Sequence, residues 1–157
     1  MEANIGIQQK NLTEVAYSLS KILADEFVLY TKTLKAHWNV IGPDFHSKHL
    51  FFEQQYGQLQ EIVDDVAERI RTLGHYAPAS LKEYLALTHL TELSRSKNDS
   101  MGFIRELLAD HESILIRLRE NIDGYATGLH DLGTSDYITG LMEKHEKMAW
   151  MLRAHLE

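Results

Sequence analysis

Apolar residues recur every three to four positions over four long stretches of the chain, the spacing of one face of an α-helix. In the first stretch Val15, Leu19, Ile22, Leu23, Phe27, Tyr30 and Leu34 carry the pattern; Asn11 and Glu14 read as its capping box, and it ends near Trp38. Gly42-Pro43 breaks the chain, and Asp44 is placed to cap a second helix that runs to Gly74. Pro78 and the pair Ser80/Glu83 mark a short helix over Leu81–Leu87. A third long helix starts around Asn98–Ser100, carries Phe103, Ile104, Leu107, Leu108, Leu115, Leu118 and Ile122, and is expected to stop at Gly124. After the Gly128–Gly133 loop a fourth runs from about Thr134 to His155.

Nothing in this pattern repeats, and no linker is long enough to separate domains, so residues 1–157 read as one all-α domain. Four long helices with a short one in the middle connection predict a four-helix bundle. That connection, about 24 residues, is long enough to cross the length of the bundle and return the chain to its starting end.

Composition narrows the chemistry. There is no cysteine, which removes disulfides, thiolate metal sites and thiol nucleophiles, and fits a reducing compartment. The opening MEANIGIQQKNL has no basic segment followed by an apolar run, and no stretch approaches the length of a membrane span, so a soluble cytoplasmic protein is expected. The net charge of −7 repels phosphate backbones and anionic surfaces and attracts cations. Nine histidines in 157 residues raise the question of metal or proton chemistry.

The second helix carries the answer. On a helical wheel with His49 at zero, Phe52, Leu59, Val63, Val66, Ile70 and Leu73 cluster at about 240–320° and form the core face. His49, Glu53, Asp64 and Glu68 fall at about 0, 40, 60 and 100°, a separate stripe. Read alone, that stripe is a solvated face. Its spacing says more: His49/Glu53 and Asp64/Glu68 are both i,i+4 pairs, and each projects two ligand-type groups together. The pairs lie about 22 Å apart along the axis, too far to hold one ion within a chain. An antiparallel copy of the helix related by a two-fold between Gln58 and Leu59 sets His49 opposite Glu68 and Glu53 opposite Asp64. Gly57 and Gln60, small and neutral, lie on the stripe near that axis. Pro43 lies midway between His37 and His49, so an antiparallel hairpin puts His37 beside His49. The composite site is then His37, His49 and Glu53 from one chain with Asp64 and Glu68 from its mate, two sites per dimer. Imidazoles and carboxylates without sulfur suit iron(II), manganese or zinc.

The segment HWNVIGPDFHSKH (37–49), followed by FFEQQY (51–56), VDDVAERIRTLG (63–74) and HEKMAWMLRAHL (145–156), resembles the Dps family of mini-ferritins, the DNA-binding proteins from starved cells. The resemblance spans the whole chain. It implies a ferritin-like four-helix bundle with the short extra helix in the connection between its second and third long helices, assembled from two-fold dimers into a hollow dodecamer. It also implies that the ordered set His37, His49, Glu53, Asp64 and Glu68 is a ferroxidase signature: Fe(II) is oxidised, preferentially by hydrogen peroxide, and ferric iron is stored inside, which protects against oxidative stress. Many family members carry Asp where this chain has Glu53. The alternatives of a different class are a non-catalytic helical shell or DNA-compacting protein, in which the stripe is an interface salt network, and an isolated bundle acting as an interaction module.

Other residues divide between function and packing. His46 lies on the same stripe, but the two-fold sets it against Arg71, a poor neighbour for a cation. Trp38 and Trp150 resemble family tryptophans near the iron site, where an oxidisable ring takes up a stray electron; the other reading is core packing at helix ends. Asp131 and Asp136 fall where the family lines acidic pores on a three-fold axis; the other reading is helix capping, which Asp136 satisfies as well. His111 and His145 read as surface or otherwise satisfied histidines rather than ligands. No glutamate is followed by histidine three positions later, which argues against a di-iron site inside one bundle. The N-terminus carries Lys10 against Glu2, and the chain ends at Glu157 without a basic extension, so direct tight DNA binding is not expected.

Overall fold

The computed structural model describes residues 3–92 and 95–157. Its elements are α1 (Gln9–Asn39), α2 (Phe45–Thr72), α3 (Leu81–Leu87), α4 (Ser100–Asp123), a π-helical turn (Gly124–Gly128) and α5 (Leu132–Arg153). No β-strand occurs among the described residues, only an isolated bridge between Ile41 and Asp99.

Side-chain contacts fix the topology. Ser18 meets Tyr125, and Lys32 meets Glu106 and Asp110, so α1 and α4 run in opposite directions. Glu26 bonds His145 and Asn11 bonds Leu129, so α5 returns parallel to α1. Phe52 packs edge-on to Phe103, at the start of both helices, so α2 and α4 run the same way. The connection from Leu73 to Asp99 therefore traverses the bundle and carries α3 across α1, where Tyr84 stacks on Phe27 at 4.5 Å. This is the ferritin-like arrangement with its one long crossover.

The apolar stripes close on one core: Leu12, Val15, Leu19, Leu23 and Leu29 of α1, Phe52, Leu59, Ile62, Val66 and Ile70 of α2, Phe103, Ile104 and Leu107 of α4, and Ile138 and Leu152 of α5 are all buried. On α2 the buried set follows the wheel, with Val63, at the edge of the arc, only partly covered. Thr72 ends α2, and Gly74 turns the chain at φ +86°, where a Cβ would stand 3.0 Å from the Ala3 Cβ. Glycine is required there for both reasons.

Some helix ends depart from expectation. The capping box expected from Asn11 and Glu14 does not form: α1 begins at Gln9, one turn earlier in effect, and the Asn11 amide instead donates to the Leu129 carbonyl across the bundle. Asp44 does stand at the head of α2 but makes no cap bond; its Oδ2 accepts from the Ser100 hydroxyl at 2.7 Å and ties two helix starts together. The third long helix ends at Asp123 with Gly124 as its C-cap, as expected, but a π turn follows directly. The chain widens there, and the Tyr125 side chain comes back against Ser18 at 2.6 Å. The Ser80/Glu83 capping box of α3 forms as read.

The last helix starts at Leu132, two residues before the expected Thr134, because Asp131 and not Asp136 is its cap. The Asp131 carboxylate accepts from the Thr134 N–H at 2.9 Å and from its hydroxyl at 2.6 Å, and pairs with Arg69 at 3.3 Å. Asp136 is exposed. Asp131→Ala is expected to cost about 2 kcal/mol, the upper end for a cap because a buried ion pair goes with it; the measurement is the shift in denaturant midpoint, and an unchanged midpoint would show that water replaces the cap.

Candidate metal centre

Two helices meet at His37 and His49. The last turn of α1 and the first turns of α2 are joined by residues 40–44, and that hairpin stacks the two imidazoles with ring centroids 3.8 Å apart and planes 20° off parallel. Their hydrogen bonds are reciprocal. His37 Nδ1 donates to the His49 carbonyl at 2.9 Å, and His49 Nδ1 donates to the His37 carbonyl at 2.8 Å. Backbone acceptors thus fix both tautomers and leave both Nε2 lone pairs for a cation, the second-sphere arrangement that orients metal-binding histidines. Tyr56 stands edge-on to His37 at 5.1 Å and Phe45 stacks on His49 at 5.3 Å, so the rings are walled on two sides. His37 is buried and His49 partly so.

Glu53 stands one turn after His49, exposed. Asp64 and Glu68 are exposed further along the same continuous helix, about 22 Å from the first pair by helical rise. Among the described residues none of the three carboxylates has a hydrogen bond or ion pair, whereas Asp25, Asp44, Asp65, Asp99, Asp110, Asp131, Glu112 and Glu146 all do. Between them α2 presents a shallow groove lined by Gly57, Gln60, Glu61, Val63, Asp64 and Ala67. Within one chain the five residues do not come together, and among the described residues no three His, Asp or Glu side chains converge on a cation position. A single chain offers two imidazoles and Glu53 at one end of the stripe, and Asp64 with Glu68 at the other.

The remaining candidates fall outside this cluster or change character. His46 is exposed on α2 with no stacking or bonding partner among the described residues. Trp38 and Trp150 are 69% and 62% exposed, so neither packs in the core of the chain. His111 and His145 are not surface residues: both are buried, with Nδ1 to Nδ1 at 2.9 Å, and His145 Nε2 donates to Glu26 at 2.9 Å. Helical spacing gave no warning of that pair, since the two lie 34 residues apart on different helices. The reciprocal carbonyl bonds of His37 and His49 were likewise invisible, because backbone acceptors leave no mark on side-chain spacing.

Residues 17–157 match the ferritin-like domain family. An uncharacterized low temperature-induced protein of Nostoc sp. is 41% identical over 154 residues, covering 98% of this chain and 86% of its own. DNA protection during starvation protein 2 of Bacillus anthracis is 36% identical over 143 residues, covering 91% of this chain and 97% of its own. Among solved structures, the Dps protein of Vibrio cholerae, described as a member of a broad superfamily of ferritin-like diiron-carboxylate proteins, superposes with a TM-score of 0.91 at 31% identity, over 100% of this chain and 98% of that one.

Proposed function

Because the chain belongs to the ferritin-like family, and within it to the Dps mini-ferritins, we propose that it oxidises Fe(II) with hydrogen peroxide at sites shared between two chains and stores the ferric product in a dodecameric shell. The observation that carries this reading is the pair His37 of α1 and His49 of α2, each with Nδ1 already committed to a carbonyl, at the head of an α2 stripe of three exposed carboxylates that have no hydrogen bond or ion pair among the described residues. Unpaired carboxylates held near one another repel, and a divalent cation removes that cost. The antiparallel pairing of two α2 helices brings Asp64 and Glu68 of one chain to His37, His49 and Glu53 of the other.

The donors divide the work. Neutral imidazole nitrogens hold Fe(II) in place, and the carboxylates favour the higher charge of Fe(III), which promotes electron loss. Two Fe(II) ions give one electron each; the O–O bond of one peroxide breaks and, with two protons, yields two waters. Pairing the two electrons avoids release of a hydroxyl radical. Ligands drawn from both chains also tie metal binding to dimer stability by mass action.

The test is an anaerobic Fe(II) titration followed by one addition of peroxide, with the particle mass measured on the same sample. The expected result is one peroxide consumed per two Fe(II), without trapped hydroxyl radical, in a particle of twelve 18.1 kDa chains, about 217 kDa. Loss of peroxide no faster than in buffer with Fe(II) would leave only a structural shell; a mass of one or two chains would leave an interaction module. At −7 per chain, the shell is expected not to retain duplex DNA stoichiometrically in a gel shift, even at low salt.

A further inference from the structure

The bundle core holds one polar chain that the iron chemistry does not use. Glu26 of α1, His145 of α5 and His111 of α4 are fully or almost fully buried among apolar side chains. His145 Nε2 donates to Glu26 Oε1 at 2.9 Å, and His145 Nδ1 faces His111 Nδ1 at 2.9 Å. The second contact is between like atoms. A nitrogen-to-nitrogen bond of that length holds one proton: one ring donates, the other must present its lone pair. When both rings are imidazolium, each Nδ1 must carry a proton, so two N–H groups point at each other, the bond is lost, and two cations face one another away from water.

We infer that Glu26, His145 and His111 form a one-proton latch that ties α1, α4 and α5 together and opens when a second proton arrives. Among the described residues this is the one place where polar side chains of all three helices are linked in a single chain. His111 behaves accordingly: burial first, and then the neighbouring His145, hold its imidazole well below the ordinary value of 6.5. A depressed histidine is neutral in the folded chain and charged in the unfolded one once the pH falls below its ordinary range. Its contribution to stability is therefore intact above about pH 6.5 and is lost as the pH falls beneath it.

The surroundings leave the second proton uncompensated. On α1, Glu26 Oε2 is buried without a hydrogen-bond partner, but Oε1 already faces His145 and Glu26 reaches His111 only through that ring. Asp25 is taken up by Thr88 and His89 of the long connection, and Lys32 by Glu106 and Asp110 of α4. On α5, Tyr137 stays neutral, its hydroxyl pushed up by burial and then by Asp65 and Glu26. Asp65 and Arg69 of α2 are paired with Lys144 and Asp131. Glu112 and Glu146, flanking the two histidines in sequence, face solvent and pair with Arg153 and Arg119.

Two measurements on the assembled protein test the latch. Deuterium exchange at the histidine ring C2 position, followed by mass spectrometry across pH 5–8, reports each histidine separately. The expected result is that His111 shows no titration while the shell keeps its native mass; an ordinary midpoint near 6.5 in an intact shell would overturn the proposal. The variant His111→Gln keeps an amide to donate to His145 and removes the titrating group. Between pH 7 and pH 5 the folding constant of the unmodified chain is expected to fall up to tenfold per pH unit more steeply than that of H111Q, the linkage of one proton. Equal slopes would equally overturn it, and if H111Q does not fold, the exchange profile of the unmodified chain decides.

Discussion

His49→Ala is expected to slow peroxide-dependent iron oxidation at least about 100-fold while leaving the assembled mass unchanged. Losing a partner that only orients a metal-binding histidine costs roughly 10–100-fold, so losing the imidazole itself lies at or beyond the upper end. Asp64→Ala is expected to do the same from the other end of α2. The two variants together make a sharper test than either alone. In a mixed dimer of one His49→Ala and one Asp64→Ala chain, both lesions fall in the same site and the second site is whole. Each variant assembled alone has no whole site. Chains unfolded together, then reassembled at random, form mixed dimers half the time, so about a quarter of the sites recover. Recovery of activity near that fraction requires sites shared by antiparallel α2 helices. Activity in the mixture no higher than in the separate variants would mean that His49 and Asp64 do not act across a two-fold, and the ferroxidase assignment would fall with it.

Phe52→Ala is expected to be the most destabilising single change considered, about 3–5 kcal/mol. The ring is fully buried, lies edge-on to Phe103 at 6.2 Å, and joins the starts of α2 and α4, where the chain arrives after its long crossover. Truncation leaves a void between two helices that have no covalent reason to be near each other. A loss of this size is a large share of the stability of a domain. The measurement is the denaturant midpoint of the apo protein, compared with the same protein after Fe(II) is added without oxidant. Because Phe52 faces the core and the stripe of His49, Glu53, Asp64 and Glu68 lies on another face of α2, the variant that remains assembled should oxidise iron at close to the normal rate. A strong loss of rate in an intact shell would show that core packing sets the spacing of His49 and Glu53.

The pattern of apolar positions was enough to place the helices, because each amphipathic stripe is a property of one helix and its period. Their ends were harder. Asn11 has the residue type of a cap, yet it serves a contact with Leu129 that lies 118 residues away in the chain. Gly124 ends α4 as its residue type suggests, but the π turn that follows and sets Tyr125 against Ser18 left no mark on the spacing. The pairing of His37 with His49 was legible for a simple reason: a short hairpin centred near Pro43 leaves the two helices little freedom in register.

Periodicity and spacing alone thus determined the four amphipathic helices, the long crossover, the acidic stripe on α2 and the histidine pair at its head. Only the tertiary structure decided which polar groups are in water. Glu53, Asp64 and Glu68 remain exposed and without a hydrogen bond or ion pair among the described residues, while Glu26, likewise a carboxylate, is sealed within the core with His111 and His145. Burial of a charged or polar side chain depends on which other helix covers it, and on whether that helix brings a partner for its hydrogen bonds. Here those partners sit 34 and 119 residues away, beyond any local pattern.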